Sequence, residues 1–206
     1  MQKKAALTFA LVGVAAAWLA VGCGEEDDNG DGDNPPPSGV YEQTQPKYVL
    51  ANVEYAFNHK DKVVLGGCLS EDFEYFFNPT DVGKKAGNYT LPEKWTKTDM
   101  MKAAPNMFTG CEAIWIANYW QNVGNPAPGK TDLQINDVMF DFNITDQGHY
   151  SISEMGALMN YYFVKGADGK WRLRKWRDRS GWEGVEMLPN SFGSVIAMYY
   201  NGPDIP

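Results

Sequence analysis

The stretch Asp137-Val138-Met139-Phe140-Asp141-Phe142-Asn143-Ile144 alternates apolar and polar side chains with a period of two. Successive strand residues point to opposite faces, so Val138, Phe140, Phe142 and Ile144 share one face and Asp137, Met139, Asp141 and Asn143 the other. The pattern predicts a half-buried antiparallel strand from Asp132 to Thr145, with its acids turned toward water. Working outward, Tyr150 to Ser153 and Gly156 to Lys165 form the next strand, bulged near Gly156. The Asp168-Gly169 turn then leads into a hairpin strand from Trp171 to Asp178. Upstream, Ile114 to Trp120 is β-rich, and the Gly/Asn/Pro run at 124–129 is a loop.

The region before these strands has a different texture. Val49, Leu50, Val53, Ala56 and Phe57 recur at helical spacing behind a candidate cap, Thr44, and an early Pro46; Asn58 and Lys60 suggest the end. A short second helix covers Asp61 to Leu69, weakened by Gly66-Gly67. Asp72 to Phe77 reads as a strand stopped by Asn78-Pro79. A third helix opens at Thr98 and runs through Met107, with Pro105 arguing for an early end or a kink. Helices first and strands afterwards predict an α+β domain, with helices on one face of a sheet.

The run Asn52-Val53-Glu54-Tyr55-Ala56-Phe57-Asn58-His59-Lys60-Asp61, followed by Cys68-Leu69-Ser70-Glu71-Asp72-Phe73, resembles the opening of an NTF2-like (SnoaL-like, cystatin-like) domain. The late Asp168-Gly169-Lys170-Trp171-Arg172-Leu173, with Trp176 and Asp178, resembles its closing strands. The resemblance implies a cone in which N-terminal helices pack on a strongly curved antiparallel sheet around an apolar pocket. It says little of chemistry, because the superfamily includes isomerases, dehydratases, transport factors and dimerisation modules. Isomerases of this kind use a pocket carboxylate as base, with a Tyr and a protonated acid as oxyanion donors. Asp137, Asp141 and Asp178, with Tyr119, Tyr161 and Tyr162, are the residue types available, yet none matches a catalytic pattern of the family. The strand acids read as solvated, and Asp178 as a hydrogen-bonded strand-end residue. Trp115, Tyr119, Tyr161, Trp176 and Asp178 are the candidates to line a ligand pocket; the aromatics equally suit a core or a dimer face.

The first 45 residues give an address. Lys3 and Lys4 precede an apolar run from Ala5 to Gly22 broken only by Thr8, and Leu19-Ala20-Val21-Gly22-Cys23 resembles a bacterial lipobox. Residues 1–22 are therefore expected to be a signal peptide and Cys23 a lipidated N-terminus, anchored firmly by more than one acyl chain. A spanning helix would more often be longer and be followed by basic residues, whereas acids follow here. Gly24 rather than Asp after the cysteine favours the outer membrane of a Gram-negative envelope. Residues 23–45 read as an acidic tether. Glu25, Glu26, Asp27, Asp28, Asp31, Asp33 and Glu42 face no base before Lys47, and Pro35 to Pro37 extend the segment. Residues 46–206 form the domain. Most of the formal charge of −8 belongs to the tether. Its Asp/Asn/Gly run lacks the ordered spacing of a calcium loop.

Several chemistries find no support. No HxH, HExxH, CxxC, GxSxG or Gly-rich phosphate loop occurs, so no metal and no cofactor are expected. His59 and His149 read as surface residues. Cys68 and Cys111 either pair as a disulfide, which export permits, or are two small buried apolar residues. The basic run Lys170, Arg172, Arg174, Lys175, Arg177 and Arg179 reads as a solvated face paired with acids of neighbouring strands, and no nucleic-acid partner is expected. Three functions are consistent with the residues: a non-catalytic holder of a small apolar ligand in the cone, a scaffold or homodimer joined by its sheet face, and a small-molecule isomerase or lyase. An open apolar cone favours the first, a filled cone with an aromatic sheet face the second, and a desolvated carboxylate beside a Tyr the third.

Overall fold

Among the described residues, three helices and five strands appear in the order the hydrophobic pattern sets, together with three short strands and a fourth helix that it does not predict. The computed structural model describes residues 39–146, 151–179 and 191–202. The signal segment, Cys23, the tether through residue 38 and His149 lie outside the described residues.

Helix α1 (Pro46–Asn58) carries Pro46 in its first turn and buries Val49, Leu50, Val53, Ala56 and Phe57. Its N-cap is Gln45 rather than Thr44, and no side chain bonds there. Helix α2 (Lys62–Cys68) forms despite its glycine pair because the Asp61 carboxylate accepts the free N–H groups of Val63 and Val64, at 2.9 and 3.0 Å. Strand β1 spans Leu69–Phe76 and buries Phe73 and Tyr75. A small hairpin of β2 (Lys85–Ala86) and β3 (Tyr89–Thr90) leads to β4 (Lys94–Thr96). Helix α3 (Lys97–Gly110) starts one residue before Thr98, because Thr96 and Asp99 close a capping box. Pro105 neither stops it nor shortens it: the helix continues through to Gly110, with Met100, Ala103, Ala104, Met107 and Phe108 buried. Packing on both sides of the proline outweighs one lost backbone bond.

The long strands are β5 (Cys111–Asn118), β6 (Asp132–Asp146), β7 (Ser151–Lys165) and β8 (Trp171–Asp178); a 3₁₀ turn, Trp120–Asn122, follows β5. The sheet order is β4-β1-β8-β7-β6-β5. It is antiparallel except where β1 runs parallel to β8, a crossover the expectation of an antiparallel sheet missed. Helix α4 (Phe192–Ala197), capped by Ser191, was not read from the sequence.

Register shifts bend the sheet, and three of them fall on the β6–β7 and β7–β8 ladders. Between β6 and β7 the pairing moves from Ile135↔Tyr161 to Val138↔Met159, one extra residue on β6, with Asp137 at φ 57°. The same ladder moves from Phe140↔Ala157 to Phe142↔Glu154, one extra residue on β7. There Gly156 adopts φ 76°, which a residue with a Cβ rarely accepts. Between β7 and β8, Tyr162↔Lys175 gives way to Phe163↔Leu173, leaving Arg174 as the extra residue. Each bulge resets the alternation, so Leu173 and Trp176 both face inward although three positions separate them.

The free edge of β5 is covered by α1. Asn58 bonds both the N–H and the C=O of Ile116, Glu54 accepts the N–H of Asn118, and the Lys60 ammonium donates to the carbonyls of Cys111 and Glu112. Polar side chains of a helix thus replace a missing strand and block edge-to-edge pairing. The polar positions of the Asn52–Asp61 run find their use here: Asn52 also clamps the N–H and C=O of Tyr41, and Asp61 caps α2.

Candidate functional site

The inner face of the sheet converges on Trp176. It lies opposite Tyr161 across the β7–β8 ladder with ring centroids 5.6 Å apart, and its ring also meets Tyr75 at 5.4 Å and Phe140 at 6.1 Å. From α4, the Phe192 ring stacks on Trp176 at 5.5 Å and touches Phe57, Phe140 and Phe142 at 5.3, 4.7 and 5.4 Å. All of these rings are buried. The space where an apolar cone would open is occupied by the chain's own Phe192.

Two residues beyond Trp176, Asp178 holds that plug. Its Oδ2 accepts the Tyr75 hydroxyl at 2.8 Å and the Gly193 N–H at 2.8 Å, with the residue fully buried. Gly193 is needed for this approach, since a Cβ there would stand 2.5 Å from the Tyr75 hydroxyl oxygen. Burial and the Asp178 charge push the Tyr75 phenol well above its ordinary range. Asp178 is therefore a structural acceptor that ties β8, β1 and α4 together, as its reading as a hydrogen-bonded strand-end residue expected.

Around this lock lie polar atoms with incomplete bonding. Tyr161 donates to Asn118 Oδ1 at 2.6 Å, while Asn118 Nδ2 and the Trp176 indole N–H are buried without a hydrogen-bond partner among the described residues. So are Glu154 Oε2 and Asp81 Oδ2; the other Asp81 oxygen accepts from Lys84 at 3.3 Å. Burial first, then the charges of Asp178 and Asp81, push the Glu154 carboxyl up to about 7. A carboxyl tuned to neutrality can hold or release a proton there, the property asked of a general acid or base. Glu154, Tyr75 and Asp81 were not singled out from the sequence. Tyr75 shares the inward parity of Phe73 in its strand, a usable signal. Glu154 was not legible, because the bulge at Gly156 shifts the register of its strand against β6.

The five pocket candidates do not form one site. Tyr161, Trp176 and Asp178 come together inside the cone. Trp115, paired with Asn143, lies on the opposite face and is 45% exposed. Tyr119 lies at the end of β5, 37% exposed, and donates to Asp141 Oδ2 at 2.8 Å. Asp141 corrects a second expectation. It does lie opposite the apolar face, but it is buried rather than solvated, because Tyr119 covers it and the bulge delivers the Gly156 N–H to its Oδ1 at 2.5 Å. Asp137 is exposed and pairs with Arg179.

Cys68 and Cys111 are both free and buried, so the disulfide alternative gives way to that of two small core residues. Burial pushes the Cys68 thiol up to about 12, and Cys111 Sγ donates to the Tyr199 hydroxyl at 3.1 Å. Among the described residues no group of His, Cys, Asp or Glu is arranged to hold a metal ion, and no helix is long and apolar enough to cross a membrane. His59 is exposed, stacked on Tyr55. Within the basic run, Arg174 pairs with Asp72 of the adjacent β1, Arg172 with Asp168 and Arg179 with Asp137, as a solvated, charge-paired face requires.

Neither a protein-family model nor a curated protein matches this sequence. Solved structures do. A scytalone dehydratase-like protein from Novosphingobium aromaticivorans superposes with a TM-score of 0.51 at 13% identity, over 70% of this chain and 89% of that one. An aromatic ring hydroxylase-like protein from the same organism gives 0.52 at 7% identity, over 75% and 96%. An NTF2-like superfamily protein from Salmonella enterica gives 0.47 at 10% identity, over 69% and 94%. At such identities the likeness speaks to fold alone. The fold is the NTF2-like cone: a few helices packed on a mostly antiparallel, curved sheet.

The raised Glu154 carboxyl sets a pH dependence. Its folded-state value, about 7, exceeds the ordinary 4.5, so between those values the folded chain binds more protons than the unfolded one. Stability contributed at this site is full below about pH 4.5 and is lost as pH rises to about 7. Urea unfolding at pH 5 and pH 8 should show Glu154→Gln stabilising the chain at pH 8 and flattening the slope between; an unchanged slope would contradict the assignment.

Proposed function

We propose that this chain is an exported lipoprotein, acylated at Cys23, whose NTF2-like domain is a non-catalytic interaction module that pairs with a second copy through the outer face of its sheet. One observation carries the reading. The cone is filled by Phe192, while Trp115, Tyr119, Met139 and Met155 stand exposed on strands β5 to β7 and at the end of β5. Aromatic and Met side chains are enriched at interface cores, and an uncovered cluster of them marks an association surface. Between residues 47 and 206 the chain holds 16 basic and 19 acidic residues, so two domains meet with little like-charge repulsion. Dimerising members of the family it resembles use the same face. The tether and the acyl chains would set that dimer off the membrane, with the outer membrane as the expected address.

A holder of a small apolar ligand would have to displace Phe192 from four aromatic contacts, which weighs against the ligand-in-cone reading. A second reading keeps one specific support. The Glu154 carboxyl near neutrality, acted on by Asp178 and Asp81, and the Asp178–Tyr75 pair suit an isomerase or lyase, and one structural neighbour is named for dehydration. It needs an opening in the cone that the packed rings do not offer among the described residues.

Sedimentation velocity of residues 34–206 is expected to give a concentration-dependent dimer, with Trp115→Glu shifting it to monomer without lowering the melting temperature. A wild-type domain that stays monomeric at high concentration contradicts the module reading. In cells, Cys23→Ser is expected to leave the chain unacylated and to release it from the membrane fraction; retention of the variant there would contradict the anchor.

A further inference from the structure

On the outer face, at the β1–β8 side of the sheet and away from Trp115, lies a groove of about 420 Å³ lined by Phe76, Gln134, Asn160, Tyr162, Lys175 and Arg177. The register explains why these residues meet. Phe76, Arg177 and Asn160 form one cross-strand row over β1, β8 and β7, and Lys175, Tyr162 and Gln134 form the next over β8, β7 and β6. The Arg174 bulge separates the two cations from the earlier part of the basic run.

The charges of that run are not equivalent. Arg172, Arg174 and Arg179 each have a carboxylate partner, Asp168, Asp72 and Asp137. Lys175 and Arg177 have none within ion-pair distance among the described residues; Glu74, opposite Lys175 in the β1–β8 register, is held by Lys94. Arg177 instead lies over the Phe76 ring at 4.9 Å, an arrangement that fixes a guanidinium while leaving its donors free. Both rows supply neutral hydrogen-bonding groups. Asn160 accepts the Asp137 N–H at 2.9 Å through Oδ1, which leaves its amide NH2 as a donor, and Gln134 donates to Asn136. Tyr162 flanks the floor, its hydroxyl 3.3 Å from Asp132.

We propose that this groove is a binding site for a small aromatic acid, a carboxylate or phosphate ester carried on a flat ring. The guanidinium fork of Arg177 and the ammonium of Lys175 take the anionic head, with the Asn160 amide as a third donor. Phe76 and Tyr162 take the ring. The proposal does not depend on dimerisation: the two areas share strands β6 and β7, but no residue that lines the groove belongs to the patch of Trp115, Tyr119, Met139 and Met155.

The test is isothermal titration of the full chain, in mild non-ionic detergent, with phenyl phosphate and with inorganic phosphate. Phenyl phosphate is expected to bind at one site per chain and more tightly than inorganic phosphate. Arg177→Gln and Lys175→Gln should each weaken it about tenfold or more, the loss of one charge-assisted hydrogen bond. Arg177→Lys should fall between. Arg174→Gln, which removes an equal charge from the same strand but outside the groove, should leave binding unchanged. Thermal melts of each variant report whether the fold is retained. No heat with the wild-type chain overturns the proposal, as does equal weakening by Arg174→Gln, which would reveal general charge attraction. Equal affinity for the two ligands overturns the aromatic part.

Discussion

A buried carboxylate shared by two strands and a helix holds this cone shut. Asp178 receives the hydroxyl of Tyr75 from β1 and the N–H of Gly193 from α4, and through the second bond it fixes Phe192 among Phe57, Phe140, Phe142 and Trp176. A buried charge is costly unless hydrogen-bonded, so the Asp178 site orders its donors as much as they stabilise it. Its charge then reaches outward: it helps to raise the Glu154 carboxyl toward neutrality and holds the Tyr75 phenol protonated. The interior polar groups that look like catalytic parts are thereby tied to closure of the cone.

The bulges perform the matching task on the outside. By placing Gly156 and Asp137 in left-handed backbone, they curve the sheet around α1 and reset which residues face water. One consequence is that Asp141 is hydrogen-bonded and covered while Trp115 and Met139 remain exposed. Another is the separation of Arg174, paired with Asp72, from Lys175 and Arg177 in the groove. Glu54 and Asn58 of helix α1, with Lys60 just beyond it, meanwhile close the β5 edge. Among the described residues, the β5 edge is thus covered while Trp115, Met139 and Met155 stay exposed on the sheet face.

Much of the fold was legible because periodicity reports burial. The alternation of Val138 to Ile144, the helical spacing of Val49 to Phe57 and the Asp168-Gly169 turn each appear where the pattern places them. The bulge near Gly156 was also readable, since a glycine interrupts an otherwise regular strand. The parallel pairing of β1 with β8 was not, because strand order depends on contacts between distant segments. Helix α4 escaped notice because six residues are too few for a helical period to show. The site was legible in part. Tyr161, Trp176 and Asp178 fall together by strand parity and pairing, whereas Trp115 and Tyr119 share their residue type but not their face. Which role Asp178 plays turned on Tyr75 and Gly193, one about a hundred positions before it and the other on an unread helix.

Closure of the cone by Phe192 is the claim on which the functional reading rests, and an apolar probe measures it directly. Thermal melts of the wild-type chain and of Phe192→Ala, with and without saturating benzene, report whether an apolar cavity exists. The wild type should show no shift with benzene. Phe192→Ala should be destabilised by about 3–5 kcal/mol and should recover part of that loss when benzene fills the vacated space. A benzene-dependent rise in the wild-type melting temperature, or a Phe192→Ala chain as stable as the wild type, would contradict a filled cone and return the function to its interior.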